Sequence, residues 1–545
     1  MGPGATAFRL PSAVTPGSDP ILKVGIMAHC AYGESERETR RTRIDPKLIE
    51  QGWEVVPYDP NRPLFAYTNH AVTEFPTDEG PADYGLFVAG RFLGVTEGKR
   101  VTLGPQNALT QSERYSKGAR NSEFNFRGFR VPFLYSTNGE VFWFHDVRDP
   151  LNRSRRVATF HSPAALQEML GRDFSGACEW FGNNINAHPR LRPYQIEANT
   201  ALEQAIAERV RLMLVAMATG TGKTFTLVNQ VYRLMESGVG KRILFLVDRR
   251  ALAAQAVRAF ASFEPEPSLK FDKIYEVYSQ RFQREDFGED ERFDPKVLPN
   301  AYLTNPQPKH AFVYVCTIQR MAVNLFGRQA VWSGEEEGID DDAGQLLIPI
   351  HAFDVIIADE CHRGYTTAEM SVWRNTLDYY DSVKIGLTAT PAAHTKAYFR
   401  DVVFRYEYAR AVREGFLVDY DVVNIKSNVR MKGVFLKEGE SVEVVDPETG
   451  NERLDVLEDE RDFESTDVER SVTSPDSNRK ILEEIKKYAL EHEQRYGRFP
   501  KTLIFATNDL PHTSHADQLV EIAVEVFGRG QGFVRKITGR SDRPL

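Results

Sequence analysis

Short apolar runs alternate with helix-spaced apolar positions through the middle of the chain. The runs that predict buried strands are Met213–Met217, Arg242–Val247, Phe312–Cys316, Asp354–Ala358 and Lys384–Leu387. Helical stretches separate these runs, and the first helix of the series begins near Arg192. Because consecutive parallel strands need a crossover connection, usually a helix, the alternation predicts a parallel α/β sheet that is covered on both faces.

A different pattern precedes this series. Between Glu34 and Trp53, Ile44, Leu48 and Ile49 follow helix-face spacing and Gly52 ends the pattern, which predicts a helix. The segments that come next are strand-like stretches at Glu54–Tyr58, Tyr84–Val88 and Phe92–Thr96, a helical stretch around Asn107–Arg120, and a hairpin over 133–146 with Asn138-Gly139 at its tip. Together they predict a separate α/β unit that closes near residue 185.

The last part of the chain follows a third pattern. It predicts a hairpin over 442–456, an acidic and partly disordered stretch up to about Asn478, a helix at Arg479–Tyr496 and a buried strand at Thr502–Thr507. Charged loops are expected around 280–309 and over 333–344. The predicted domains are therefore an N-terminal segment of unknown role (1–33), a first α/β domain (34–185), a second (186–410) and the start of a third (411–545).

Composition narrows the classes of protein that fit. The 545 residues carry 68 Lys and Arg against 77 Asp and Glu, a net charge of −9, and 41% of them are hydrophobic, as in ordinary globular proteins. The longest apolar run, about Leu212 to Ala218, is far shorter than the roughly 18 residues of a membrane helix. No secretion signal is recognisable, and the four cysteines never form a C-x-x-C pair, so we expect a cytoplasmic protein without a zinc site. A negative total does not exclude DNA, because phosphates need only a local positive groove.

A phosphate-binding loop follows the first predicted strand of the parallel sheet. The segment Ala218-Thr219-Gly220-Thr221-Gly222-Lys223-Thr224 comes after a buried strand and opens a helix. Backbone N–H groups at the two glycines can point at phosphate oxygens, Lys223 can reach the β- and γ-phosphates, and Thr224 can bind Mg²⁺. Met217 stands where the general pattern has glycine. The segment predicts an ATP site, whereas a chance turn would not combine this strand, loop and helix.

An acidic pair is the expected partner of this loop. In FDVIIADECHR the strand ends at Asp359 and Glu360, at the edge of the sheet where ligands bind in open α/β folds. Asp359 would hold Mg²⁺, Glu360 would orient and deprotonate the attacking water, and His362 would sense the γ-phosphate. The alternative is a surface turn that happens to be acidic.

Together these segments resemble the DExH-box helicases of superfamily 2, with the box written here as Asp-Glu-Cys-His. LRPYQ (191–195), VDRRALAAQ (247–255), CTIQRM (316–321), LTATP (387–391) and TLIFATN (502–508) are similar to further motifs of that superfamily. The resemblance implies that Arg192 and Gln195 contact adenine, that Arg249, Thr317 and Gln319 contact nucleic-acid phosphates, and that Thr388 and Thr390 couple hydrolysis to movement. It also implies a RecA-like motor.

The first α/β unit carries a second constellation of charged residues. A turn at Ala89-Gly90 places position 83 opposite about position 96, so Asp83 lies beside Glu97, and Glu97 and Lys99 share a face of one strand. Two carboxylates can hold Mg²⁺, which would prepare water for attack on a phosphodiester, while the lysine adds positive charge. The pattern resembles the PD-(D/E)xK nuclease motif, although exposed strands often carry Glu and Lys alternately.

A nearby helix adds to this resemblance. Gln111 and Tyr115 stand four residues apart and so share one helix face. This Q-x-x-x-Y pattern accompanies the nuclease motif in the restriction subunit of type I restriction-modification enzymes, and Glu38 matches the acidic helix position of that family. Basic residues interleaved with aromatic ones, which could follow a DNA backbone or simply form a solvated face, are Arg114, Lys117, Arg120, Arg127 and Arg130 with Tyr115, Phe124 and Phe126.

Nuclease first, DExH motor second and the segment 406–420 are together similar to the type I restriction subunit over most of residues 34–545. The resemblance implies ATP- and Mg²⁺-dependent translocation and cleavage of double-stranded DNA, with separate modification and specificity subunits as partners. Late motor motifs do not occur before Leu545, so we expect a fragment that binds ATP but turns it over poorly. The alternative is a DExH helicase or remodeller whose first domain only binds nucleic acid or protein.

Overall fold

The structure is a computed structural model. It describes residues 34–120, 122–282, 295–330, 343–361, 367–423, 425, 475–507, 509 and 514–537, together with four short strands between 434 and 463. The described residues up to Val418 form one compact unit, and those from Asp419 onward form a second. The predictions for residues 1–33, for 283–294 within the loop 280–309, for most of the loop 333–344, for His362 and for most of the acidic stretch before Asn478 lie outside the described residues.

The first sheet of the large unit is mixed, and its strands are adjacent in chain order. They are β1 (Glu54–Pro57), β2 (Asn69–Thr77), β3 (Gly80–Val88), β4 (Arg91–Gly98), β5 (Phe133–Thr137), β6 (Phe142–Asp146) and β7 (Arg155–Val157). The pairs β1–β2 and β4–β5 are parallel, and the remaining neighbours are antiparallel. The predicted hairpin is β5–β6, in which the Asn138 Oδ1 accepts hydrogen bonds from the Glu140 and Val141 N–H groups.

The second sheet contains parallel strands only, in the order β11-β10-β12-β9-β13-β14-β8-β15 among the described residues. They are β8 (Leu212–Met217), β9 (Arg242–Val247), β10 (Glu276–Ser279), β11 (Lys296–Val297), β12 (Phe312–Thr317), β13 (Val355–Asp359), β14 (Val383–Thr388) and β15 (Asp401–Tyr406). Every residue of β9, β12, β13 and β14 is buried, which explains why their sequences are almost continuously apolar.

Helices cover both sheets. In the large unit they are α1 (Glu36–Thr39, a π-helical turn at Arg40–Ile44, then Asp45–Glu50), α2 (Leu109–Lys117), α3 (Pro163–Gly171), α4 (Phe174–Asn183), α5 (Pro193–Ala207), α6 (Lys223–Ser237), α7 (Arg250–Ser262), α8 (Phe271–Ile274), α9 (Asn300–Thr304), α10 (Ile318–Phe326), α11 (Thr367–Tyr379), α12 (Ala393–Phe399) and α13 (Tyr408–Arg413). Pro193 starts α5 at a position where a missing N–H costs nothing. None of the helices among the described residues is long and apolar enough to cross a membrane.

Two buried charged clusters join the first sheet to the second. Asp381, just before β14, accepts hydrogen bonds from Arg155 at 2.6 Å, from Arg211 at 2.7 Å and from His161 at 2.9 Å. Asp354, just before β13, accepts from Arg172 at 2.8 Å and from Arg242 at 3.2 Å. Both aspartates lie at the amino ends of the parallel strands, the edge opposite the phosphate-binding loop.

The second unit is smaller. Its strands are β16 (Val434–Leu436), β17 (Ser441–Val445), β18 (Glu452–Val456) and β19 (Arg461–Phe463), and its long helices are α14 (Pro475–Tyr496) and α15 (His515–Phe527). The predicted hairpin over 442–456 is β17–β18. The predicted buried strand at Thr502–Thr507 is wrong: these residues form no strand, and Leu503 and Phe505 are 67% and 85% exposed. A strand needs a paired neighbour, and the described strands of this unit pair only as β16–β19 and β17–β18.

Candidate functional site

Three carboxylates meet at the end of the β3–β4 hairpin. Tyr84 pairs with Thr96, so Asp83 and Glu97 are neighbours across the two strands. Glu36 approaches from the first turn of α1, and each of the three carboxylates offers one oxygen within 4.8 Å of the other two. The predicted meeting of Asp83 and Glu97 is therefore present in the structure. We call Glu36, Asp83 and Glu97 the carboxylate cluster.

Two basic side chains touch the carboxylate cluster. Lys99 Nζ donates to Glu97 Oε1 at 2.6 Å and lies 3.6 Å from Glu36 Oε1. Arg40 Nη1 donates to Asp83 Oδ1 at 2.6 Å, and the other oxygen of Asp83 accepts from the Gly98 N–H at 2.7 Å. The three acidic groups are thus held together by positive charge and by one backbone N–H.

The electrostatics of the cluster reflect its burial. Burial raises the pKa of Glu97 to about 7, with repulsion from Asp83 adding to the shift and Lys99 opposing it. Burial likewise raises the pKa of Asp83, against the effect of Arg40. Burial also raises the pKa of Tyr115 to about 12, and both carboxylates contribute. A site with this much negative charge out of water favours a bound cation.

The donor set and the backbone suit Mg²⁺. All three candidate ligands are carboxylate oxygens, the type that Mg²⁺ prefers. A Cβ on Gly98 would lie 3.1 Å from Arg40 Cγ and 3.3 Å from Asp83 Oδ2, so a larger residue there would require these side chains to shift by a few tenths of an ångström. Glu36, Asp83 and Glu97 would hold the ion.

The structure places Glu38, expected as the acidic helix residue, outside the carboxylate cluster. Glu38 Oε2 accepts hydrogen bonds from the Ser35 N–H and hydroxyl, and Ser35 Oγ in turn accepts from the Glu38 N–H. This is a capping box, and Glu36 is the carboxylate of this helix that lies within reach of Asp83 and Glu97. The S-x-x-E spacing is a recognisable capping signal and could have revealed this arrangement.

The second helix of the resemblance lies beside the cluster. Gln111 and Tyr115 are both partly buried on α2, and the Glu97 carboxylate is one of the groups that raise the pKa of Tyr115. The basic residues around them have other contacts: Arg114 pairs with Glu79, Arg120 with Asp78, and Arg127 donates to the Val147 carbonyl. Arg130 is exposed, Lys117 lies over the Phe129 ring, and Phe124 and Phe126 stack on each other.

The phosphate-binding loop has the backbone that its sequence predicts. Gly220 and Gly222 have φ angles of +84° and +78°, and α6 begins at Lys223 immediately after Gly222. Thr219 is exposed, Thr224 lies in the first helical turn, and the buried Thr221 hydroxyl donates to the Ala218 carbonyl. The first N–H groups of α6 are therefore directed at the mouth of the loop, where an anion can bind.

The acidic pair lies next to this loop. Lys223 Nζ is 3.3 Å from Glu360 Oε1, and Asp359 Oδ1 accepts from the Glu360 N–H. Burial raises the pKa of Asp359 to about 6, with Glu360 adding to the shift and Lys223 opposing it. Glu360 has a φ angle of +51°, a strained conformation of the kind that concentrates at functional sites.

The segment LRPYQ supports the loop from behind. The Gln195 side-chain amide donates to the Thr221 and Gly222 carbonyls at 3.1 and 3.3 Å, and its oxygen accepts from the Arg192 N–H. The Tyr194 hydroxyl donates to the Thr221 carbonyl at 2.8 Å, and its ring stacks on Tyr406 with centroids 3.9 Å apart. Tyr194 was not predicted as a site residue, although it stands inside the quoted motif.

The remaining predicted residues follow the carboxyl ends of neighbouring strands. Arg249 is exposed and contacts Asp248, and Gln319 is partly buried in the first turn of α10. Thr388 is buried, and its hydroxyl accepts from the Thr390 N–H at 3.1 Å. Thr317 is 2% exposed, and its hydroxyl accepts from the Arg320 N–H as the N-cap of α10. The motifs therefore share one sheet edge with the phosphate-binding loop.

Segments that include most of each sheet match families of restriction-enzyme domains. Residues 188–393 match the family described as "Type III restriction enzyme, res subunit". Residues 61–170, which include Asp83, Glu97 and Lys99, match the second domain of the type I restriction enzyme EcoKI endonuclease subunit. The parallel sheet and the matched res-subunit family confirm the predicted RecA-like motor lobe. The PD-(D/E)xK nature of the first sheet stays a prediction.

Comparison with individual proteins over most of this chain finds type I restriction endonuclease subunits. The chain is 32% identical over 582 aligned residues to the EcoKI endonuclease subunit of Escherichia coli K12, covering 93% of this chain and 45% of the relative. It is 28% identical to the EcoAI endonuclease subunit of Escherichia coli, covering 81% and 49%. The chain is thus similar to type I restriction endonuclease subunits, and it spans about half the length of these two.

A solved structure similar to this chain is a fragment assigned as the HsdR subunit of a type I restriction enzyme from Vibrio vulnificus YJ016. It is 18% identical, with a TM-score of 0.33, and the match covers 91% of this chain and 75% of that one.

Proposed function

We propose that this chain carries the nuclease site and the ATP-binding lobe of a type I restriction endonuclease subunit. The observation that carries the proposal is the carboxylate cluster, whose oxygens lie within 4.8 Å of one another beside a lysine 2.6 Å from Glu97. The sequence similarity of the chain to type I endonuclease subunits supports the same function. Double-stranded DNA is the proposed substrate, and modification and specificity subunits are the proposed partners.

The carboxylate cluster and the side chains beside it have different proposed roles in phosphodiester cleavage. A divalent cation bound there would supply positive charge for the phosphate and a more acidic water. Asp83, Glu97 and Glu36 bind and fix the position of that cation. Lys99, held by Glu97 and close to Glu36, orients the attacking water or adds charge at the phosphate. Tyr115 lies on the helix beside the cluster, where its hydroxyl would help to position the Glu97 carboxylate.

At the motor edge the chain's own groups suit ATP. Lys223 and the N–H groups at the start of α6 bind phosphates, and Thr224 and Asp359 are the proposed ligands of the Mg²⁺ that accompanies the nucleotide. Glu360 is placed by its contact with Lys223 to receive a proton from water. Gln195 and Tyr194 hold the loop in this conformation through its carbonyls.

A crossed pair of substitutions tests the proposal. Lys99→Ala removes the cation beside the carboxylates, so DNA cutting should fall about 100-fold or more while ATP binding is unchanged. Lys223→Ala should instead abolish ATP binding, and ATP-dependent cutting with it, so ATP binding is the measurement that separates the two variants. The measurements are nicking and linearisation of a supercoiled plasmid with Mg²⁺, ATP and the modification and specificity subunits, and fluorescent ATP-analogue binding to the chain alone.

Lys47→Ala is the matched control, since Lys47 is an exposed lysine whose described ion pair is with Glu50. Cutting by the Lys47 variant should equal that of the wild type. If the Lys99 variant also cuts at the wild-type rate, the first sheet is only a binding module for nucleic acid or protein.

A further inference from the structure

Arg40 occupies a position inside the carboxylate cluster that no feature of the sequence predicts. Its Nη1 donates to Asp83 Oδ1 and to Glu74 Oε1, both at 2.6 Å. The guanidinium lies 5.2 Å from the Tyr84 ring centroid, and the side chain is only 16% exposed. The arginine therefore bridges one carboxylate of the cluster and one carboxylate outside it.

Three local features of the chain converge on this arginine. Arg40 is the first residue of the π-helical turn in α1. Glu74 has a φ angle of +52° and stands opposite Asp83 in the β2–β3 register, between the pairs Thr73–Tyr84 and Phe75–Ala82. Gly98 has no Cβ where one would lie 3.1 Å from Arg40 Cγ. Irregular helical turns and residues with positive φ are frequent at functional sites, and here all three features give room or a partner to one guanidinium.

The charges set up a competition for Asp83. One oxygen of Asp83 is bound to the Gly98 N–H, and Arg40 holds the other. A metal ion binding Asp83 through that second oxygen would meet a guanidinium at hydrogen-bond distance, and two cations so close repel each other. Glu74 is 58% exposed and already bound to the same Nη1, so it can keep the guanidinium when Asp83 releases it.

We propose that Arg40 is a resident cation that holds Asp83 and competes with the divalent metal for it, with Glu74 retaining the guanidinium once the metal binds. The inference rests on the carboxylate cluster being the nuclease metal site. It makes Arg40 a positioning residue that sets the metal concentration at which the site fills. Cutting would then require more free metal than the three carboxylates alone would need.

The test is direct binding of Mn²⁺ to the whole chain, measured from the free-ion signal in electron paramagnetic resonance. Asp83→Asn identifies the portion of binding that belongs to the cluster. Arg40→Gln should tighten that portion about tenfold, the scale of effects from groups that touch metal ligands. Arg40→Lys restores a cation and should bind close to the wild-type level. Glu74→Gln removes the alternative partner of the guanidinium and should weaken binding.

Arg43→Gln is the control for altering charge on the same helix, because Arg43 pairs with Glu34 and Glu140 and touches none of the three cluster carboxylates. Unchanged or weaker Mn²⁺ binding by Arg40→Gln, in a variant that melts like the wild type, would overturn the competition. Should Arg40→Gln not fold, unchanged binding by Glu74→Gln would overturn it equally. If Asp83→Asn leaves Mn²⁺ binding intact, the metal site itself is wrong and the proposed nuclease fails with it.

Discussion

Single glycines decide how closely the phosphate-binding loop is supported. Gly222 has a φ angle of +78°, and a Cβ there would lie 2.7 Å from the Gln195 side-chain nitrogen. Gly238, at the other end of α6, has nearly the same φ angle of +81° but nothing within 4 Å of a Cβ. Both glycines have left-handed φ angles, so alanine would be strained at either position. Only at Gly222 would the added Cβ also collide with a neighbouring side chain.

Substituting alanine at each of these two glycines gives a testable prediction. Gly222→Ala should lower both stability and ATP affinity, because the methyl group pushes Gln195 off the Thr221 and Gly222 carbonyls. Gly238→Ala should cost about 1 kcal/mol of stability from strain and leave ATP binding unchanged. Denaturant unfolding and fluorescent-nucleotide titration measure the two effects, and equal ATP affinities in the two variants would contradict the collision.

The candidate site was predictable from sequence where each residue had a fixed spacing from the next. Asp83, Glu97 and Lys99 follow from hairpin register, and the phosphate-binding loop follows from its motif. Arg40 could not be predicted, because its place depends on a π-helical turn and on the positive φ angle of Glu74 in another strand. Glu36 and Glu38 stand two apart in the same helical turn, and only the S-x-x-E capping signal distinguishes them.

At the scale of elements, Thr317 acts as a helix cap. It was predicted to contact nucleic-acid phosphate, but its hydroxyl is buried and accepts from the Arg320 N–H at the start of α10, and its own N–H donates to Gln280. This satisfies one of the otherwise unpaired N–H groups of the first turn.

Thr317→Ala should therefore lower the free energy of unfolding by about 1 kcal/mol, and Thr317→Ser should retain most of it, since serine caps helices at least as well. Urea unfolding followed by circular dichroism measures the difference. Equal stability of the alanine and wild-type chains would argue against the cap and return Thr317 to its predicted role at the phosphates.

Strands that are buried on both faces were predictable from the sequence, and strands with both buried and exposed residues were harder to predict. The runs at β9, β12 and β13 are buried on both faces, so an apolar run alone located them to within a residue or so. By contrast, β2 was missed because His70, Thr73 and Glu74 interrupt its apolar pattern, and Glu74 has a positive φ angle. The apolar segment 502–507 was wrongly predicted as a strand. Its sequence alone could not show that none of the described strands pairs with it.

At the scale of the whole large unit, Asp381 is a buried polar link between the two sheets. Burial alone would raise its pKa, but Arg155 and Arg211 outweigh burial and hold the pKa well below its ordinary value. Arg155 donates to both carboxylate oxygens, Arg211 donates to Oδ1, and His161 contacts Oδ2. These partners are 170 to 226 residues away in sequence, so no local pattern predicts the contact.

Asp381→Asn should destabilise the large unit by about 3 to 5 kcal/mol, because it leaves two buried guanidinium groups without their countercharge. Glu197→Gln, which removes an exposed ion pair with Arg410, should cost less than about 1 kcal/mol. Because the folded pKa of Asp381 is lowered, its contribution is complete at neutral pH and is lost as pH falls below about 4. The gap between wild type and Asp381→Asn in urea unfolding should narrow over that acidic range, and a gap independent of pH would contradict the assigned charge.

The π-helical turn at Arg40–Ile44 also has a consequence for how the site tolerates changes in chain length. A π turn holds one residue more than the α-helical turn it replaces. Deleting any one residue within it would restore regular helix and rotate Glu36 by about 100° relative to Ile44 and Leu48, which are anchored in the core. Glu36 would then leave Asp83 and Glu97, although every residue of the cluster would still be present in the sequence. A single-codon deletion here would therefore remove Glu36 from the site without changing any of the three carboxylates. A sequence alignment that ignores the extra residue would also pair Glu36 with the wrong position in a relative.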